Sequence, residues 1–243
     1  MSVSETLTQH LQSLSTVVPY TAATEHAFLV AAGTGKLSKE HLGLYLYQDR
    51  LYAAHAYPRF IGHLISAIPF SSLHAIRSKA EQDNQHIIRS LTYSLQNVVR
   101  EINFFVETAD KYGLRLEGWK ERKATRDYMD SMAAVSSWGS LADGLVFLWA
   151  MEQVYLDSWR HVKSLLATSK EESPASAAVR ELAANWTNDE FVDFVNDLAD
   201  LVNQQNLQPG SSEWARAEEI WARVVELEEA FWPLEKDLAL LKV

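Results

Sequence analysis

Three carboxylates sit where the helical pattern calls for apolar side chains. Asp49, in "LGLYLYQDRLYAAHAY" (residues 42–57), has Tyr45 and Leu46 four and three positions before it, and Tyr52 and Ala53 three and four after it. Glu152, in "FLWAMEQVYLDSW", has Leu148 and Trp149 before it and Tyr155 and Leu156 after it at the same offsets. Glu228, in "WARVVELEEAFWPLEK", is bracketed by Val224, Val225, Phe231 and Trp232. Residues at those offsets share a helix face, so all three acids point the way core residues point. A buried, unpaired carboxylate costs several kcal/mol or raises its pKa. In an apolar, Tyr- and Trp-lined cavity such groups act as general acids or bases, or bind a heteroaromatic base. The plainer alternative for each is a place at the margin of its stripe, or a pairing with a core Arg or Tyr hydroxyl. Glu226, Glu229 and Asp157 fall beside more polar positions and read as solvated charges.

Hydroxyl groups accompany the acids. Tyr52 lies three residues from Asp49 and Tyr155 three from Glu152, so each shares a face with its acid, and Tyr128 in "RDYMDSM" is a third candidate. Core packing with a locally satisfied hydroxyl is the alternative for each tyrosine. Helical bundles that hold two irons use Glu-x-x-His motifs, and the chain has none. His86 follows Glu81 by five, Asp157 and His161 stand four apart, and His26, His55 and His63 are scattered. "GTGK" at Gly33 lacks the spacing of a phosphate-binding loop. Neither a metal nor a cofactor is expected.

The elements that must carry these residues are helices. Only 9 Gly and 6 Pro interrupt 243 residues, and they fall between long segments of helical period. The pattern predicts an all-α protein with helices near residues 3–15, 23–34, 38–66, 70–97, 98–113, 121–136, 139–168, 175–184, 188–206 and 211–240. Capping signals stand at Ser38, Ser71, Thr187 and Ser211. Pro58 is expected to bend the third helix just after Tyr57. The Ser-rich stretch from Ser164 reads as an exposed loop, and "NQQNLQPGSS" as a turn between the last two helices. With no long linker and no repeat of roughly 30–45 residues, a single multi-helix bundle over residues 1–243 is the simplest architecture.

Composition narrows the partners. Hydrophobic residues make up 47% of the chain, including 8 Trp, 9 Tyr and 9 Phe, enough for a sizeable core. The net charge is −10 with no basic run, which argues against nucleic acid or an anionic membrane surface as a ligand. The absence of cysteine excludes disulfides, a thiolate nucleophile and Cys-ligated metal. The longest apolar run, "LVFLWAM" at Leu145–Met151, is about a third of a membrane span. The start, "MSVSETLTQHLQSLS", lacks the features of a secretory or transit signal, so a soluble, cytoplasmic protein is expected.

Three segments together, "EHAFLVAAGTGKLSKEHLGLYLYQDRLY" (Glu25–Tyr52), the aromatic helix around Glu152 and Tyr155, and the terminal "ELEEAFW", resemble the TenA, or thiaminase II, family. Bacterial members open with His-Pro-Phe, a Gly-Thr-Leu turn and a Tyr-rich helix carrying Gln-Asp-x-x-Tyr, which here read "HAF", "GKL" and "QDRLY". The resemblance runs from about residue 20 to 235. It implies a haem oxygenase-like all-α fold, a homodimer or homotetramer, and a pocket for a small aminopyrimidine. It also implies hydrolysis of thiamin or, more typically, of its base-degraded products, releasing 4-amino-5-hydroxymethyl-2-methylpyrimidine for salvage. Carried over by position, Asp49 binds the pyrimidine amine and ring nitrogen, Tyr52 supports the substrate, Glu228 is the catalytic acid/base, and Tyr128 and Tyr155 line the site.

Two departures matter. The family's cysteine nucleophile aligns with "WAMEQVY", where Met151 or Glu152 stands, so a Cys-dependent mechanism is excluded. A cysteine-free branch of the family uses a glutamate near this point, a pattern that Glu152 fits as a second catalytic residue. Trp186, in "NWTNDEF", replaces a tyrosine of bacterial members and is expected to stack on the ring. The competing readings are another haem oxygenase-like activity (haem cleavage, a di-iron oxidase or a cofactor-ring oxidase) and a non-catalytic pyrimidine-binding protein that has lost the chemistry.

Overall fold

The computed structural model describes residues 5–243. In chain order the helices are α1 (Leu7–Ser13), α2 (Tyr20–Thr24), α3 (Ala27–Gly33), α4 (Lys39–Leu51), α5 (Tyr57–Ser66) and α6 (Lys79–Tyr112). Then follow α7 (Lys123–Trp138), α8 (Leu141–Leu166), α9 (Ser176–Asn185), α10 (Asp189–Gln204), α11 (Ser212–Phe231) and α12 (Asp237–Leu241). The chain is an all-α multi-helix bundle, as expected. No helix among the described residues is long and apolar enough to cross a membrane.

Local signals set most helix starts. Ser38 and Ser211 accept backbone N–H groups of α4 and α11, as their sequence signals predicted, each satisfying a donor that the first turn leaves free. Asn188, not Thr187, caps α10. Thr187 instead gives its hydroxyl to the Ala183 carbonyl, at the end of the preceding helix. Ser71 caps no helix: it closes a local turn with the Leu73 N–H, and the long helix starts only at Lys79, behind Ser78. The pair predicted at 70–97 and 98–113 is one continuous helix, α6, ended by Gly113 in the left-handed conformation that glycine adopts most readily. The predicted start at residue 3 lies outside the described residues.

The segment predicted as one helix over 38–66 is interrupted, though not where Pro58 suggested. Tyr52–Ala56 forms a π-helical turn in which the Tyr57 N–H reaches back to the Tyr52 carbonyl, and α5 then starts with Pro58 in its first turn. Proline has no N–H and crowds the carbonyl four residues earlier. Widening the turn just before it relieves that conflict. The predicted helix at 211–240 stops at Phe231, ahead of Pro233, and the chain re-enters a helix only at Asp237.

Helix α8 is the axis of the bundle and packs against α3, α10 and α11. Every residue from Asp143 to Met151 is buried, the mark of a helix enclosed on all sides. Gly144 makes that enclosure possible: a Cβ there would stand 2.2 Å from Leu64 of α5, so the two helices meet only because the side chain is absent. The charged neighbour Asp157 is less solvated than its sequence setting suggested. It is partly buried and accepts the Tyr20 hydroxyl at 2.8 Å.

Candidate active site

A cavity of about 230 Å³ opens between α4, the π turn, α6, α7, α8, α10 and α11. A single water needs only ~10–15 Å³ on that measure, so the space admits an organic ligand. Asp49, Tyr52, Tyr128, Glu152, Tyr155, Trp186 and Glu228, all singled out from the sequence, line it. Exposed Arg100, Asn188 and Glu190 stand at its rim, while Glu228 is buried.

Each of the three predicted acids comes from a different helix, and each is held by a phenol. Asp49 of α4 accepts the Tyr45 hydroxyl at 2.9 Å and the Tyr155 hydroxyl at 3.2 Å. Glu152 of α8 accepts the Tyr57 hydroxyl at 2.8 Å. Glu228 of α11 accepts the Tyr128 hydroxyl at 2.5 Å. The sequence placed Tyr155 beside Glu152 and Tyr52 beside Asp49 on their own helices. In the structure the pairings cross between helices: Tyr155 serves Asp49, and Tyr52 directs its hydroxyl to Met151 Sδ at 3.5 Å.

The π turn explains how Tyr52 and Tyr57 share the cavity. Five residues of regular α-helix advance about 500°, which would leave the two side chains roughly 140° apart. The wider π turn advances less per residue and brings them closer to one face, with ring centroids 6.0 Å apart. Tyr52 then lies 5.2 Å from Tyr128, edge to face. Aromatic rings thus surround the acids and keep the local dielectric low.

A fourth acid, Glu101 of α6, completes the lining. Trp186 is buried and donates its indole N–H to Glu101 at 2.5 Å. The signal for Glu101 was present in "NVVREINFF": Val98 lies three before it, Phe104 and Phe105 three and four after it. A helix boundary placed at residue 97–98 concealed that pattern.

Among the described residues no cation pairs with the four carboxyls. Arg100, next to Glu101 in sequence, turns outward to Glu190 at 2.8 Å. Burial pushes the carboxyl of Glu152 up to about 7 and that of Glu228 up to about 8, against the pull of their phenol hydrogen bonds, and neighbouring negative charge adds to both. Burial likewise raises Asp49 and Glu101. Negative charge on Asp49 and Glu152 bears on both Glu101 and Glu228. Like charges so placed cannot all ionise near neutrality. The cavity therefore stores exchangeable protons and attracts cationic or proton-donating ligands. Among the described residues, no three His, Asp or Glu side chains converge as metal ligands would.

The fold and this site define a helical bundle built around a small-molecule pocket rich in acids and phenols. The sequence model of the TENA/THI-4/PQQC family matches residues 15–236, and the chain belongs to that family. It is 22% identical over 220 residues to a "Probable bifunctional TENA-E protein" of Glycine max, covering 89% of this chain and 88% of that one. A TenA homologue from Pyrococcus furiosus superposes with a TM-score of 0.70 at 23% identity, covering 88% of this chain and 92% of the other. A TenA family transcription regulator from Silicibacter sp. TM1040 does so with a TM-score of 0.76 at 17% identity, covering 96% of each.

Proposed function

We propose that this chain, as a single TenA/thiaminase II-like domain over residues 1–243, is a cytoplasmic hydrolase of the thiamin-salvage type. Its substrate would be an aminopyrimidine breakdown product of thiamin, either the aminomethyl form or its N-formyl derivative. One observation carries the reading: four carboxyls and a wall of aromatic rings face one cavity with, among the described residues, no buried cation beside them. An aminopyrimidine matches that lining, because its amidine edge takes paired hydrogen bonds from one carboxyl while its faces contact aromatic rings. Family membership and the named TENA-E relative support the same choice.

In this mechanism Asp49 fixes the amidine edge, sharing one proton with the ring nitrogen. Tyr52, Tyr155 and Trp186 pack the ring, and Tyr128 orients Glu228. Glu228, protonated below about pH 8, is the acid that charges the ring or the leaving nitrogen. Glu152, poised near 7, positions water and takes its proton. The C–N bond to the exocyclic carbon breaks with its electron pair going to nitrogen, while a C–O bond forms from water. On a formylated substrate the same water attacks the amide carbonyl, releasing formate and the free amine.

The resemblance also carries a homodimer or homotetramer, which light scattering would measure. The primary test incubates metal-free protein with thiamin, the aminomethyl-pyrimidine and its N-formyl derivative, and separates the products by chromatography. Release of hydroxymethyl-pyrimidine or formate, lost in Glu228→Gln, supports the hydrolase. Tight pyrimidine binding without turnover would make the chain a binding protein instead. The acidic net charge and the lack of a basic run give a nucleic-acid-binding regulator no support.

A further inference from the structure

The proposed chemistry employs three of the four acids. Asp49 holds the amidine edge, Glu152 the water and Glu228 the proton. Glu101 has no role in it, and where Glu228 gives its proton to the ring the substrate's exocyclic nitrogen has no partner. The geometry suits them to each other. Among the described residues Glu101 takes one hydrogen bond, from the Trp186 indole, while a carboxylate offers about four lone-pair sites. It is only half-buried because it faces the cavity. Its neighbour Arg100 is engaged with Asn97 and Glu190 at the rim and supplies no countercharge. Asp49 and Glu152 line the same cavity, and their negative charge bears on it.

Resting on the salvage reading, we propose that Glu101 receives the exocyclic ammonium of the substrate and sets the preference for an aminomethyl-pyrimidine over its neutral N-formyl form. An aliphatic ammonium brings a positive charge and three N–H donors into a group of acids that lacks both. A formamide brings one N–H and no charge, and it places a carbonyl oxygen among carboxyl oxygens. Held as an ammonium, the leaving nitrogen already carries the proton with which it departs as ammonia. The proton on Glu228 is then free for the ring, and the water's proton goes to Glu152.

The test compares calorimetric Kd values in a Glu228→Gln background, which slows turnover, with and without Glu101→Gln. Glutamine keeps an oxygen that can accept the Trp186 N–H, so the pocket wall is preserved. Loss of a charged hydrogen bond predicts weaker binding of the aminomethyl-pyrimidine by about 10- to 100-fold. Binding of the N-formyl form and of the hydroxymethyl product should change less than about threefold. An unchanged Kd for the amine, or equal losses for all three ligands, overturns the role of Glu101 and leaves the salvage reading standing. A background protein that binds none of the three overturns both.

Discussion

Gln48 and Asp49 are neighbours on α4, both buried, and they serve two polar regions of opposite design. Gln48 is fully enclosed and hydrogen-bonded through both amide atoms: its nitrogen donates to the Lys120 carbonyl at 2.9 Å and its oxygen accepts from the Arg122 backbone N–H and the Thr125 hydroxyl. Beside it, Arg122 pairs with Asp237 at 3.0 Å and donates to the carbonyls of Phe231 and Trp232 at the end of α11. Charge is matched there, and the network pins α4, α7 and α11 together. Asp49 faces the other way, toward Glu101, Glu152 and Glu228, with phenols and an indole for company and, among the described residues, no cation paired with it. Buried polar groups stabilise only when each is satisfied. The first region meets that condition and the second does not. The protein tolerates the second because the first, with the aromatic core, holds its walls in place.

Breaking the unbalanced region should cost activity. Glu228→Gln removes the proposed proton donor and is expected to lower kcat at least about a hundredfold, measured by product release under saturating substrate. A loss under about tenfold would remove Glu228 from that role. Breaking the balanced region should cost stability instead. Arg122→Met leaves Asp237 and two carbonyls without their partner, so about 3 kcal/mol of destabilisation is expected, or a fall in Tm of roughly 10 °C. Substrate Kd at 25 °C should barely change, and a Tm shift below about 2 °C would show that the network holds nothing.

The pH dependence separates the two regions further. Glu228 has a folded-state pKa raised from 4.5 to about 8. Between those values the native state binds more protons than the unfolded one, so the group's contribution to stability is greatest at acid pH and declines as pH rises toward 8. Glu152 acts in the same direction up to about 7. Differential scanning calorimetry should therefore give a Tm that falls from pH 5 to pH 8.5, and Glu228→Gln should flatten the slope. A Tm that rises over that range would contradict the unpaired state of these acids. Activity should be confined between the two groups, rising as Glu152 ionises near 7 and falling as Glu228 loses its proton near 8.

The three acids of the central constellation were legible because a helix repeats its faces: Asp49, Glu152 and Glu228 stand at the offsets of an apolar stripe. The fold class was legible for the same reason. Pairings across helices were not, since no spacing within one helix says that Tyr155 will turn to Asp49 or Tyr57 to Glu152. Glu101 was hidden by "QNVVRE", where a polar pair and β-branched residues lower helix propensity. Tertiary packing of Leu91, Val98 and Phe105 carries α6 straight through that stretch. The π turn had its cause in Pro58, but the sequence could not show that the helix would widen before the proline rather than bend after Tyr57.

The smallest expected effect probes how finely the acid group is tuned. Tyr45 is fully enclosed behind Asp49, outside the cavity lining, and bridges it to Tyr155 with a 2.8 Å contact between hydroxyls. Tyr45→Phe removes one of the two hydroxyls that favour the ionised form of Asp49, so the carboxyl should hold its proton to higher pH. The same change loosens the orientation of Asp49 and should weaken pyrimidine binding about three- to tenfold at neutral pH. These effects oppose each other at alkaline pH, where a carboxyl that keeps its proton still shares it with the ring. Plots of Kd against pH for the parent and the variant should therefore converge as pH rises. Parallel curves would mean that Tyr45 only orients Asp49, and superimposed ones that Tyr155 alone holds it.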